Sequence, residues 1–246
     1  MKKQALLAAV LSTFALQAGA AKPTEKADAS KGAKADEARM SADTLKGLEL
    51  RGIGPAYNSG RVADIAVTPG AYHRYFVAAA SGGVWRTDNG GTTWKPIFDE
   101  QGSFSIGCLA LDPGNPNVLW VGTGENNSQR SVAFGDGVYK TLDGGTTWTN
   151  LGLKDSEHIG MIAIDPRDTD VVWVAAQGPL WRAGGDRGLY RTSDGGATWQ
   201  KMLDISPDTG ISEVRLDPRD PDTMYAVAYQ RRGILDGYLT IADILE

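Results

Sequence analysis

The stretch RTSDGGATW, Arg191 to Trp199, is written three times with small changes: KTLDGGTTW runs from Lys140 to Trp148, and RTDNGGTTW from Arg86 to Trp94. The closing tryptophans are 54 and 51 residues apart. A second phrase alternates with the first: LDPGNPNVLWVGTGE from Leu111, IDPRDTDVVWVAAQG from Ile164, LDPRDPDTMYAVAYQ from Leu216, and a degraded VTPGAYHRYFVAAAS from Val67. Periods of about 50 residues belong to repeat architectures. In the third unit IGMIAID, VVWVAAQ, GLYRTS and TWQKML read as strands, separated by turn signals at Pro166-Arg167-Asp168 and Asp194-Gly195-Gly196. Four antiparallel strands per repeat predict a propeller blade. A β-helix needs shorter coils, and an immunoglobulin-like sandwich does not repeat one hairpin sequence at fixed spacing.

The expected class is therefore all-β, a β-propeller of four-stranded antiparallel blades, present as a partial ring of about 3.5 blades. The blades fall at about 61–99, 105–152, 158–204 and 210–232, within a propeller region spanning 47–232. The repeated phrase reads as architecture. The Asp194 carboxylate accepts N–H groups of its own turn, the glycines supply positive φ, and Trp199 folds over the hairpin as a local apolar plug.

The two ends differ from this pattern. MKKQALLAAVLSTFALQAGAA has a charged start, an apolar run and an Ala18-Gly19-Ala20 cleavage pattern, so residues 1–20 are expected to be a signal peptide. No membrane span and no lipid anchor are expected, which gives an exported protein, periplasmic or extracellular. Residues 21–46, rich in Ala, Lys, Asp and Glu and lacking aromatics, read as a flexible leader. The tail 233–246 loses the hairpin phrase and reads as divergent or truncated. Its segment DGYLTIAD still parallels DGVYKTLD at Asp136, which offers Tyr238 to Ile241 as the third strand of a fourth blade, with Leu48 to Gly54 as a closing strand.

The formal net charge is −5, and no basic block occurs, which argues against nucleic acid as a partner. Cys108 is the only cysteine, so no internal disulfide forms; in IGCLAL it reads as a small buried hydrophobe. The two histidines, His73 and His158, are expected on opposite faces and make no metal site, and no cofactor is implied.

The pattern Ser/Thr-x-Asp-x-Gly-x-Thr-Trp resembles the Asp-box, or BNR repeat. It is met by Thr141, Asp143, Gly145 and Trp148, and by Thr192, Asp194, Gly196 and Trp199; the first copy, Thr87, Asn89, Gly91 and Trp94, has Asn for Asp. Asp-boxes occur in sialidases, xyloglucanase-type hydrolases, sortilin-type receptors and a photosystem assembly factor, so the resemblance implies a fold and says little of activity. A closer likeness runs from about Leu45 to Arg231 through LRGIGPAYNSGRV, GGVWRTDNGGTTW, VGTGE, GDGVYKTLDGGTTW and HIGMIAIDP. It resembles the opening blades of large exported bacterial proteins with sortilin-like propellers, often labelled glycosyl hydrolases, and implies that only the beginning of a larger ring is present.

In antiparallel blades the turns joining strands one to two and three to four share one face, and the remaining loops share the other. The repeated phrases occupy the first face. The second carries loops that vary in length, where binding is expected: Arg61, Glu125, Asn126, Asn127, Arg130, His158, Gln177, Trp181 and Arg182. Trp181 would stack on a sugar or peptide while Glu125 and Arg130 supply polar contacts; the plainer reading is a solvated rim in which Arg61 and His158 satisfy loop carbonyls.

The leading functional expectation is a non-catalytic binding or assembly propeller recognising protein, peptide or glycan. A glycoside hydrolase, sialidase- or xyloglucanase-like, is the alternative. It requires two carboxylates or a tyrosine with an arginine cluster, and Glu125 is the one carboxylate in a suitable place. Xyloglucanase-type propellers carry an Asp near the end of an early second strand, where this sequence has Ala80; Arg51 and Arg61 do not match the sialidase arginine motif. A third reading is a truncated fragment without independent function, whose open blade edges invite self-association.

Overall fold

The computed structural model describes residues 60–127 and 132–230, and the backbone of 241–245. Arg51, Arg130 and the segment Leu48 to Gly54 lie outside the described residues. The first sheet is β1 (Val62–Val67), β2 (Tyr75–Ala79), β3 (Gly83–Thr87) and β4 (Lys95–Pro96). The second is β5 (Ile106–Leu111), β6 (Leu119–Thr123), β7 (Val138–Thr141) and β8 (Thr149–Asn150). The third is β9 (Ile159–Ile164), β10 (Val172–Ala176), β11 (Gly188–Thr192) and β12 (Gln200–Leu203). A fourth contains β13 (Gly210–Asp217), β14 (Asp220–Tyr229) and β15 (Ile241–Leu245). In each sheet the strands are hydrogen-bonded in sequence order, every pair antiparallel. This is the predicted blade. The third strand of the fourth sheet begins at Ile241; residues 238–240 of the expected strand lie outside the described residues.

The sheets stack in chain order because their strands are apolar on both faces. Phe76, Ala78, Val84 and Phe98 of the first sheet pack on Ile106, Leu109, Leu119, Val121 and Tyr139 of the second. Val118, Trp120 and Val138 meet Ile159, Ile162, Val172, Val174 and Tyr190 of the third. Ala175 and Leu189 meet Ile211, Val214, Ala226 and Ala228 of the fourth. A strand with a neighbouring sheet on each side has no polar face, which is why LWVGT in β6 is buried throughout.

The repeated hairpin joins the third and fourth strands of the first three sheets. Asp143 Oδ1 accepts the N–H groups of Thr146 and Thr147, each at 2.9 Å, and Asp143 Oδ2 accepts the Thr147 hydroxyl at 2.7 Å. Asp194 repeats the pattern with Thr198 at 2.9 and 2.6 Å. In the first blade Asn89 Oδ1 takes the Thr93 N–H at 2.9 Å, while its amide donates to the Thr93 hydroxyl at 2.9 Å, so the amide reverses one bond and keeps the turn. The glycines at 90–91, 144–145 and 195–196 all have positive φ.

The tryptophan differs from expectation. Trp199 donates its indole N–H to the Leu151 carbonyl of the preceding blade at 2.7 Å, and Trp148 donates to the Ile97 carbonyl at 2.6 Å. It is a rivet between blades rather than a plug on its own hairpin. An indole reaches farther than the short hairpin can use, and the core below the turn belongs to the neighbouring sheet.

Candidate functional site

At the loop-bearing end, each first strand carries one extra residue against its partner. Val62 pairs with Ala79 and Asp64 with Ala78, leaving Ala63 over; Gly107, Gly160 and Ser212 are the surplus residues of β5, β9 and β13. Such bulges kink a strand and re-aim its side chains. Here they also set the approach of the sheets: a Cβ on Gly107 would strike the carbonyls of Ile159 and Gly124, and one on Gly160 the carbonyl of Ser212. The four bulge residues line a groove of about 400 Å³ together with Asp64, Asn126, Gln177 and Glu213.

Glu125, the carboxylate singled out from sequence, is 1% exposed. Its carboxylate meets the Arg61 guanidinium of the preceding blade. Its N–H donates to Ser105 Oγ at 2.9 Å and its carbonyl faces His158 Nδ1 of the next blade at 2.8 Å. A carbonyl can only accept, so Nδ1 carries the hydrogen. The His158 carbonyl in turn accepts the Gln177 N–H at 2.9 Å, and the Gln177 carbonyl accepts from Arg187 Nη1 at 2.8 Å. Arg61, Glu125, His158 and Gln177 therefore form one continuous polar chain through three sheets. Asn126 is fixed beside it, donating to the Gly160 carbonyl at 3.1 Å.

Trp181 and Arg182 stand apart from the groove. Trp181 is 71% exposed, and Arg182 pairs with Glu157 at 3.1 Å. Asn127 is half-buried in the loop after β6. His73 lies at the far end, in the β1–β2 turn, where its carbonyl accepts the Gly90 N–H at 2.8 Å.

Sequence reasoning missed Arg187. This buried guanidinium donates to the carbonyls of Gln177, Pro179, Arg182 and Gly184, and so holds the long loop between β10 and β11 from inside. A guanidinium with five donors suits a ring of carbonyls that a short side chain cannot reach. Its only sequence signal was an arginine directly before a strand-opening glycine. Phe104 and Phe134, exposed on the same loop face as Trp181, were also missed; Ser103 Oγ, beside Phe104, donates to the Phe134 carbonyl at 3.4 Å.

Among the described residues of the groove, each carboxylate has a donor partner. Asp64 takes the N–H groups of Ile65 at 2.7 Å and Leu109 at 2.9 Å. Glu213 pairs with Arg215 and Glu125 with Arg61. Burial drives the Cys108 thiol far above its ordinary range, with the nearby Asp64 carboxylate adding to it, so the sulfur stays protonated and unreactive. Among the described residues no group of three or more His, Cys, Asp and Glu side chains is placed to hold a metal, and no helix is long and apolar enough to cross a membrane.

No family model matches the chain. It is 27% identical over 156 residues to a xyloglucanase of Acetivibrio thermocellus, covering 58% of this chain and 18% of that protein. It is 24% identical over 186 residues to an oligoxyloglucan-reducing end-specific xyloglucanase of Emericella nidulans, covering 68% and 21%. Among solved structures it is similar to an ancestral GH74 enzyme, with a TM-score of 0.57 at 22% identity over 73% of this chain and 23% of that one. The GH74 xyloglucanase from Xanthomonas campestris matches with a TM-score of 0.50 at 20% identity, over 71% and 30%. The chain thus spans about a fifth of the curated relatives' length, and the likeness to solved structures establishes the propeller fold.

Proposed function

We propose that these blades form a non-catalytic binding module of an exported protein, recognising an extended polymer, glycan or polypeptide, across the loop-bearing ends of the sheets. The repeated hairpins are read as Asp-boxes, with a scaffolding role. The observation that carries the reading is the state of the carboxylates: Asp64, Glu125 and Glu213 are each engaged by a backbone N–H or an arginine. A general acid needs a protonated carboxyl aimed at the leaving group, and three carboxylates held by donors serve structure and recognition instead. Exposed Phe104, Phe134 and Trp181 supply flat apolar surface on the loop-bearing face. The test is equilibrium titration of the chain with xyloglucan oligosaccharides and with a peptide library, followed by tryptophan fluorescence. Binding weakened about tenfold in Trp181→Ala, with no release of reducing sugar, is the expected result. Absence of binding to both classes sinks the proposal.

The similarity to xyloglucanases favours a second reading, glycoside hydrolysis, in which Glu125 is one of two carboxylates. Hydrolysis of xyloglucan that disappears in Glu125→Gln, with the fold retained, would establish it.

A further inference from the structure

Among the described residues two non-glycines have positive φ, Leu153 at 54° and Glu157 at 55°. They flank a 3-10 turn, Lys154–Ser156, in the connection from the second sheet to the third. Leu153 lies in the left-handed helical region, but Glu157 combines its φ with a ψ of −36°, outside the regions that a residue with a side chain favours. The His158 N–H closes this three-residue turn onto the Ser156 carbonyl at 2.5 Å, which makes it a γ-turn of the rare, strained hand. The same segment buries the Ser156 hydroxyl without a hydrogen bond. Both features cost free energy, and a strained conformation persists only where its surroundings hold it.

The holding contacts come from two different loops. From the loop after β6, Gly135 donates its N–H to the Glu157 carbonyl at 2.7 Å, and Gly124 packs on that carbonyl so closely that a Cβ there would collide with it. From the loop after β10, Arg182 pairs with the Glu157 carboxylate at 3.1 Å. Beside it the Asp155 N–H donates to the Asp186 carboxylate at 2.9 Å, and the Asp186 N–H donates to the Asp155 carbonyl at 3.1 Å. Phe134 precedes Gly135 and Trp181 precedes Arg182, so each loop grips Glu157 one residue away from an exposed aromatic ring.

We infer that Glu157 is a strained latch through which these two loops set each other's position. Its carbonyl holds one loop and its carboxylate is held by the other. When Arg182 is drawn away, φ of Glu157 returns to negative values, the carbonyl swings off Gly135, and the stretch 133–136 that carries Phe134 loosens. Linkage makes the effect reciprocal: fixing 133–136 tightens Arg182 on Glu157. The coupling belongs to the chain itself and stands whatever the loops bind.

Site-resolved amide exchange of the full chain tests this, with Glu157→Ala and Glu157→Gly as the deciding pair. Both remove the carboxylate; alanine keeps the penalty of positive φ, and glycine adopts it freely. Exchange of the Gly135 N–H is expected to rise at least about tenfold in Arg182→Ala and in Glu157→Ala, and to stay within about threefold of the parent in Glu157→Gly. Both residues sit in loops, and protection retained by the amides of β6 and β10 shows that the variants fold. Faster exchange confined to 177–187 in Arg182→Ala, or Gly135 exchange no slower in the glycine variant than in the alanine one, overturns the inference.

Discussion

Arg61, at the head of β1, is ion-paired across the blade boundary with Glu125, which lies just past the end of β6 in the next sheet. The arginine is half-exposed and the carboxylate buried, so the pair is unequal: removing the cation strands a buried charge, while removing the charge leaves an exposed arginine free to hydrate. Arg61→Ala is expected to destabilise by about 1–3 kcal/mol, more than Glu125→Gln, and the double variant should recover part of the Arg61→Ala loss. Additive losses in a chemical-denaturation double-mutant cycle would show the pair to be energetically idle.

The hairpin aspartates make stability depend on acid. Hydrogen bonds from the Thr192 and Thr198 hydroxyls, with the Thr198 N–H, hold Asp194 down to a pKa of about 2. Asp143 is likewise lowered, first by the Thr147 N–H and then by the Thr147 and Thr141 hydroxyls. A group whose folded value lies below its unfolded value near about 4 stabilises fully above that pH and loses its contribution as pH falls towards 2. Asp194→Asn should flatten the melting temperature against pH in this window, and at pH 7 should melt above Asp194→Ala because Asn89 already demonstrates the amide solution. An Asn variant as acid-sensitive as the parent would exclude Asp194 as the titrating group.

Trp148→Phe keeps an aromatic ring but removes the pyrrole half of the indole, and with it the N–H that reaches the Ile97 carbonyl. A loss of at least about 1 kcal/mol is expected from the orphaned acceptor together with the lost packing. Amide exchange should rise first at the boundary between the first and second sheets, since Phe98 also packs edge-on to Trp148 at 4.9 Å. Exchange that rises uniformly would mean the indole stabilises its own hairpin instead.

Gly107→Ala places a methyl against two backbone carbonyls, of Ile159 and Gly124, neither of which can rotate away. The expected cost is about 1–3 kcal/mol. Gly114→Ala, with only the Asp112 carboxylate nearby at 3.4 Å, is the control and should be nearly silent in the same thermal melt.

These residues also mark how far the sequence could be read. The fold was legible because the turn chemistry is local: threonine, aspartate or asparagine, and two glycines specify their hairpin within nine residues, and their repetition marks three of the four sheets. Glu125, Asn126 and Gln177 were legible as loop-face positions, since antiparallel topology alone assigns strand ends to faces. Contacts that cross between blades were not. The Arg61 pairing with Glu125 joins residues 64 positions apart, and the carbonyl cage around Arg187 depends on a loop path that no periodicity encodes. The glycines of the two IG dipeptides, Gly107 and Gly160, were in plain view, but their purpose is visible only once the next sheet stands against them.

The bulge residues have one more effect. Because main chain meets main chain at Gly107 and Gly160, the closest approach of the second to the third sheet and of the third to the fourth is gauged there by backbone and not by the loop side chains above it. Loops of different length, such as 124–136 and 177–187, can sit on identical footings without resetting the distance from one sheet to the next. The molecule is in this sense a ruler with exchangeable attachments, on which recognition can be rewritten one loop at a time while the scaffold keeps its spacing.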